Sequence, residues 1–185
     1  ANDFSTPIIF LTHNALHNDA LNDSAKMGQM REEVRRVLAE KEGVFVAISD
    51  MKKESWGLDG FVVPPGIDLE EYGGYSGTQP QALTVGNLLA ERDHMLGYRY
   101  LQKILEGVFH HIVGENPKIP ASRKAESWDD LKATYQQSRV YVNATMEAFE
   151  DGYNLSMLEA MATGLPVVSF ANSSSPIRDG ENGFV

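Results

Sequence analysis

Residues Glu150-Asp-Gly-Tyr-Asn-Leu-Ser-Met-Leu-Glu-Ala-Met-Ala-Thr-Gly-Leu-Pro-Val-Val-Ser169 encode a loop, a helix and the start of a strand. Asn154 before, and Gly164-Leu165-Pro166 after, are start and stop signals for a helix over 155–163. That helix is apolar nearly all round through Leu155, Met157, Leu158, Ala160, Met161 and Ala162, so it must be buried. Its second turn nevertheless carries an acid, Glu159. An unpaired buried carboxylate costs several kcal/mol, so Glu159 needs partners, and either the hydroxyls of a bound sugar or a structural Arg would serve. Asp151 stands ahead of it in the loop, with seven residues between them. The backbone N–H groups of 154–157, free at a helix start, point toward the same space. Two acids flanking an anion-binding helix start form a constellation suited to a nucleotide sugar.

Outward from this segment, short β-branched runs alternate with helix-length stretches, which is the signature of an α/β fold. Strands are expected over 8–12, 44–49, 60–63, 82–85, 108–113, 140–143 and 166–170, and helices over 24–41, 95–107, 129–137 and 155–163. Several strands are apolar on successive residues, as parallel strands covered on both faces are. Met27, Met30, Val34, Val37 and Leu38 mark the apolar stripe of the first helix. Ser127-Trp-Asp-Asp reads as a helix cap with acids in the first turn. The linker-like stretch from Pro64-Pro65-Gly66 to Pro80 places a boundary between residues 1–66 and 67–185.

Composition narrows the classes. The chain has 185 residues, 42 % hydrophobic and 23 % charged, the proportions of an ordinary globule. Apolar runs reach only four or five residues, as at 44–48, too short to span a bilayer. With no cysteine, disulfides and thiolate sites are excluded. Sixteen Lys and Arg against 26 Asp and Glu leave a formal charge of −10. That charge repels polyphosphate, so nucleic acid is not expected as a partner, whereas a small phosphorylated ligand can still be held by helix amides and one or two cations. The N-terminal Ala1-Asn-Asp-Phe-Ser-Thr-Pro7 has neither a basic nor a hydrophobic signal region, so a cytoplasmic setting is expected. The Asn-x-Ser/Thr matches at Asn22, Asn143, Asn154 and Asn172 then mean nothing. His13 and His17 have i, i+4 spacing without a zinc-type Glu, so no metal site is expected, and His110 and His111 read as packing or capping residues. No Gly-x-Gly-x-x-Gly or P-loop occurs.

The quoted segment resembles the acid-x7-acid motif of GT-B glycosyltransferases of family 4 (group 1), typically Glu-Gly-Phe-Gly-x-x-x-x-Glu-Ala-Met-Ala-x-Gly-x-Pro-Val-Val. Here Asp151-Gly152-Tyr153-Asn154, Glu159-Ala160-Met161-Ala162, Gly164 and Pro166-Val167-Val168 match it, with Asp for the first Glu, Glu150 as its neighbour, and Asn154 for the second Gly. The similarity continues through Pro176-Ile-Arg-Asp-Gly-Glu-Asn-Gly-Phe184. Upstream it takes in the hinge-like Val62-Val-Pro-Pro-Gly-Ile-Asp68, the strand exit Val85-Gly86, Val113-Gly114-Glu115-Asn116-Pro117 and the helix start at Ser127, so that about 135 residues follow the family order.

The resemblance implies a Rossmann-like parallel sheet flanked by helices, the donor domain, in 67–185, truncated at its C-terminal end, and a partial acceptor-side α/β piece with the hinge in 1–66. It implies transfer of a sugar from a nucleotide diphosphate to a glycan or lipid-linked acceptor in cell-surface or polysaccharide synthesis. No metal or cofactor beyond the co-substrate is implied, and peripheral membrane association is compatible with it. Asp151 would contact the donor sugar hydroxyls, Glu159 the ribose diol, and the amides at 154–156 the diphosphate. Gly86, Asn87, Gly114, Glu115, Gly152, Tyr153, Asn154, Leu155 and Ser156 complete the implied binding set. Two family cations are replaced: Asn87 follows Gly86 where Arg is usual, and Leu96 stands where Lys is expected. Arg92 is the substitute expected to neutralise the diphosphate, ahead of Arg99, Arg123 and Lys124. His13, past the first strand, is the expected cleft-facing residue of the acceptor side. The alternatives are a non-catalytic nucleotide-sugar or glycan-binding module and, ranked last, a GT-B phosphorylase or epimerase.

Overall fold

A computed structural model describes residues 6–20 and 22–185, so most of the N-terminal stretch weighed as a leader lies outside it. The chain divides into two compact units, Ala1–Pro65 and Gly66–Val185.

In the first unit, β1 (Ile9–Thr12), β2 (Val44–Ala47) and β3 (Phe61–Val62) pair in parallel in that order. They are accompanied by α1 (Leu16–Asp19), α2 (Ser24–Glu40) and α3 (Asp50–Trp56). Asp23 caps α2 by accepting from the Lys26 N–H. The helix α3 was not expected. Its start signal is Ser49, which accepts from the Lys52 N–H and reads in the sequence as the last residue of a strand. Phe45, Trp56, Leu16 and Leu58 form the core, with Phe10 and the Met27–Met30–Val34–Leu38 stripe of α2 packed on it. The other face of the sheet carries Ile9 and Phe61, 73 % and 64 % exposed.

The second unit holds β4 (Ala82–Val85), β5 (His110–Val113), β6 (Val140–Asn143) and β7 (Val167–Ser169), all parallel, in the order β5-β4-β6-β7. Helices α4 (Asp93–Leu96), α5 (Tyr98–Ile104), α6 (Trp128–Gln137) and α7 (Leu155–Thr163) connect the strands. Both faces of the sheet are covered. Leu83, Tyr141 and Val167 pack with Tyr135 of α6 and with Met157 and Ala160 of α7, while Ala82 and Val142 pack with Leu101 of α5. This is why the strands carry consecutive apolar residues.

Two expectations are corrected. The helix expected over 95–107 is two helices, because Gly97 sits in the left-handed region at φ +62 and a Cβ there would lie 2.3 Å from the Ala144 carbonyl oxygen. The stretch read as a linker is in large part a strap of the second unit. Ser76 and Gly77 N–H groups donate to Gln136 O, Gln79 N–H to Gln137 O, Arg139 Nε to Gly77 O, and Gln136 Nε2 to Gly73 O.

Candidate functional site

The chain leaves β4 for β5 on one side and then crosses to β6 on the other, so the sheet changes winding direction at β4. In open parallel sheets, ligands bind outside the carboxyl ends of the strands at such a point. Two adjoining cavities lie there, of ≈ 180 and ≈ 430 Å³, and share Val85, Gly86, Asn87 and Ser156.

Their floor is a set of stitches between strand exits. Asn87 Oδ1 accepts from Glu115 N–H at 2.7 Å, and Leu88 N–H donates to Glu115 O at 2.8 Å. Asn116 accepts from Leu89 N–H and donates to Gly86 O, at 2.8 and 2.9 Å. Gly114 has φ +140, and a Cβ there would lie 2.1 Å from Gly86 O, so only glycine lets the β4 and β5 exits approach this closely. Asn87, which departs from the usual family Arg, thus serves as a loop clamp. Asn116 was missed, although an Asn beside Pro117 after a glycine is an ordinary turn signal.

The smaller cavity is lined by Thr84, Arg92, Asn143, Thr145 and Asn154 besides the shared residues, and by no acid. Asn154 caps α7, its Oδ1 accepting from Met157 N–H at 3.3 Å and lying 2.7 Å from the Ser156 hydroxyl, which is also 3.0 Å from Val85 O. Of the amides expected to be free, that of Met157 is therefore taken, whereas those of Leu155 and Ser156 have no acceptor among the described residues. Below, Asn143 donates to Thr145 and Ser169 and receives Asn154 Nδ2. This network was not foreseen, since its members meet only through the sheet.

The cations sort by partner. Arg99 is paired with Asp93 at 2.6 Å, Arg123 with Asp130 at 2.6 Å and Thr134 at 2.8 Å, and Lys124 with Glu115 at 3.0 Å. Arg92 meets only the Met95 sulfur, at 4.0 Å, and has no acid partner among the described residues. It stands at the start of α4 and faces the smaller cavity.

The larger cavity is lined by Gly114, Glu115, Lys124, Leu131, Leu155 and Glu159, among others. Glu159 projects from α7, and its Oε2 accepts from the Tyr135 hydroxyl at 2.7 Å. Burial raises the Glu159 pKa, and the neighbouring tyrosine hydroxyls, that of Tyr135 foremost, oppose the rise. No cation pairs with it among the described residues, so the structural-Arg option does not hold here. The buried Tyr135 was missed; its i, i+4 spacing from Leu131 marks it as core, and a buried phenol needs a partner.

Asp151, Gly152 and Tyr153 line neither cavity. Asp151 is 1 % exposed, and its Oδ1 accepts from Tyr153 N–H at 3.2 Å. The 172–175 loop holds this segment inward. Gly152 N–H donates to Ser174 Oγ, Asn172 Nδ2 donates to Glu150 O, and a Cβ on Gly152 would lie 2.3 Å from Ser175 Cα. Asp151, expected to contact the donor sugar, therefore does not line these cavities, and neither does Glu150, which accepts from the Asp151 amide. His13 is exposed beyond β1, in the first unit, whereas these cavities are lined by residues of the second. His110 and His111 are packing residues: they meet Thr84 and Gln81, and Arg123 Nε donates to His111 Nε2. Among the described residues, no group of three or more His, Asp or Glu side chains could hold a metal ion, and no helix is long and apolar enough to cross a membrane.

An open parallel sheet with a cationic, amide-edged cavity beside a carboxylate-bearing one defines an α/β protein with paired cavities at its topological switch point. A sequence model of the glycosyl transferases group 1 matches residues 79–185, more than half of the chain, and the chain belongs to that family. The crystal structure of TarM matches it with a TM-score of 0.65 at 14 % identity, a likeness of the GT-B type of α/β fold. That match covers 95 % of this chain and 39 % of TarM, so the chain spans well under half of that protein's length. Comparison with curated proteins gave no match.

Proposed function

We propose that the second unit is the donor site of a glycosyltransferase, binding a nucleotide-diphosphate sugar for transfer to a glycan or lipid-linked acceptor. The observation that carries this reading is the pairing of the two cavities: Arg92 at one, Glu159 and Leu155 at the other, and Ser156, whose amide like that of Leu155 has no acceptor among the described residues, shared between them. A diphosphate fits the first by charge and by the helix macrodipole. A ribose diol fits the second, because an ionised carboxylate accepts from both hydroxyls. In transfer, negative charge grows on the departing diphosphate, and preorganised donors stabilise it without reorganising. Gly86 and Asn87 at the junction keep the two halves in register.

The test is a thermal-shift panel of UDP-, GDP- and ADP-sugars on the wild type, Arg92→Ala and Glu159→Ala. At least one donor should raise the wild-type Tm, and both variants should lose most of the shift. A folded wild type that responds to none rejects the reading. Binding without transfer is the second reading, favoured by the inward-turned Asp151. Release of sugar from a bound donor, onto water or an acceptor, rejects that alternative.

A further inference from the structure

The buried polar chain beneath the smaller cavity leaves one hydrogen without a place to go. Asn154 Oδ1 accepts from Met157 N–H, which turns Asn154 Nδ2 toward Asn143 Oδ1, 3.5 Å away. Asn143 Nδ2 then faces Thr145 Oγ1 at 3.0 Å and Ser169 Oγ at 3.1 Å. Ser169 gives its own hydroxyl hydrogen to Phe170 O at 3.0 Å, so it accepts from Asn143. Thr145 Oγ1 accepts as well, and its own hydrogen finds no acceptor among the described residues. Thr145 is 3 % exposed and lines the smaller cavity. A buried hydroxyl without an acceptor carries a desolvation cost that a ligand oxygen offsets. The other groups at this cavity match it. Arg92 brings a guanidinium without an acid partner among the described residues, Ser156 a backbone amide without an acceptor, and no acid lines the wall. Donors from three separate segments suit an oxyanion, whereas a sugar hydroxyl needs an acceptor as well.

We propose that Thr145 is a binding residue whose hydroxyl, turned outward by Asn143, donates to a phosphate oxygen of the nucleoside diphosphate in the smaller cavity. This rests on the donor-site reading above. The neutral hydroxyl adds a directional contact beside the charge of Arg92.

The test titrates UDP, GDP and ADP into the full chain as wild type, Thr145→Ser and Thr145→Val by calorimetry, and records the phosphorus NMR resonances of the bound nucleotide. Valine keeps the shape and removes the hydroxyl; serine keeps the hydroxyl and removes the methyl. For a nucleotide that binds the wild type, Thr145→Ser should stay within about twofold and Thr145→Val should lose about tenfold or more, the effect of a hydrogen bond to a charged group. A phosphorus resonance should move in Thr145→Val and hold in Thr145→Ser. A residue that only packs would give the reverse order of affinities, because valine fills the space and serine leaves a gap. That reverse order, or equal affinity of Thr145→Val and wild type, overturns the role of Thr145 and leaves the donor-site reading standing. An affinity loss with unmoved phosphorus resonances is an effect passed through Asn143 and overturns it too. If Thr145→Val does not fold by circular dichroism, Thr145→Cys, close to serine in shape but a weak donor, takes its place with the same expected loss. A folded wild type that binds none of the three nucleotides removes the donor-site reading, and the role of Thr145 falls with it.

Discussion

Arg92 and Glu159 share a condition that most charged residues avoid: half-buried, at a cavity, with no opposite charge beside them among the described residues. Leaving charge unpaired has a desolvation cost, which a ligand of complementary chemistry offsets. Arg92→Ala should leave the Tm of the free protein within a few degrees and weaken nucleoside diphosphate binding about tenfold or more in a calorimetric titration. Equal affinity of variant and wild type would remove Arg92 from the site. Glu159 adds a pH dependence. Burial raises its pKa above the ordinary 4.5, and the diol favours the ionised form. Ribonucleotide affinity should therefore be full well above that raised pKa and fall as pH drops through it, at a pH where an exposed carboxylate is still ionised. An affinity flat down to the ordinary carboxylate range contradicts this.

At the scale of elements, the site depends on how closely the strand exits approach one another. Gly114→Ala forces a Cβ toward Gly86 O and into an unfavourable φ, and should destabilise the protein by roughly 2–4 kcal/mol in urea unfolding while abolishing nucleotide binding. On β5, burial lowers the His110 pKa to about 4, with His111 adding repulsion. The folded state thus resists a proton that the unfolded chain takes up near 6.5. The stabilising effect of neutral His110 is complete above 6.5 and is lost as pH falls toward 4. Allowing for partial exposure, the loss is about 1–2 kcal/mol. A His110→Gln variant, which still offers a partner to Thr84, should show a shallower fall in Tm over that window. Identical slopes would refute the assignment.

Across the whole chain, each compact unit carries one tryptophan: Trp56, buried in the small core of the first, and Trp128, exposed on the second. The first unit has the smaller core and one sheet face with exposed apolar residues, so it has less burial to set against its conformational entropy. In a Trp128→Phe variant, the Trp56 fluorescence transition should come at lower urea than the loss of far-ultraviolet circular dichroism of the second unit's larger helix-and-sheet core. Coincident transitions would mean that the units unfold as one.

Local signals were sufficient wherever a structure is decided by neighbours in sequence. The strands at 82–85 and 140–143 and the capped helix 155–163 announced themselves through consecutive apolar runs, Asn154 and Gly164, and the acid motif identified the family. Where a feature depends on groups brought together from afar, the sequence was silent. Gly97 splits a helix because the Ala144 carbonyl lies behind it, and the strap is ordered because the end of α6 accepts its amides. Asp151 turns inward because the 172–175 loop holds its neighbours. Periodicity and capping are short-range physics and can be read along the chain; steric contact and the satisfaction of buried polar groups are set only when the sheet assembles.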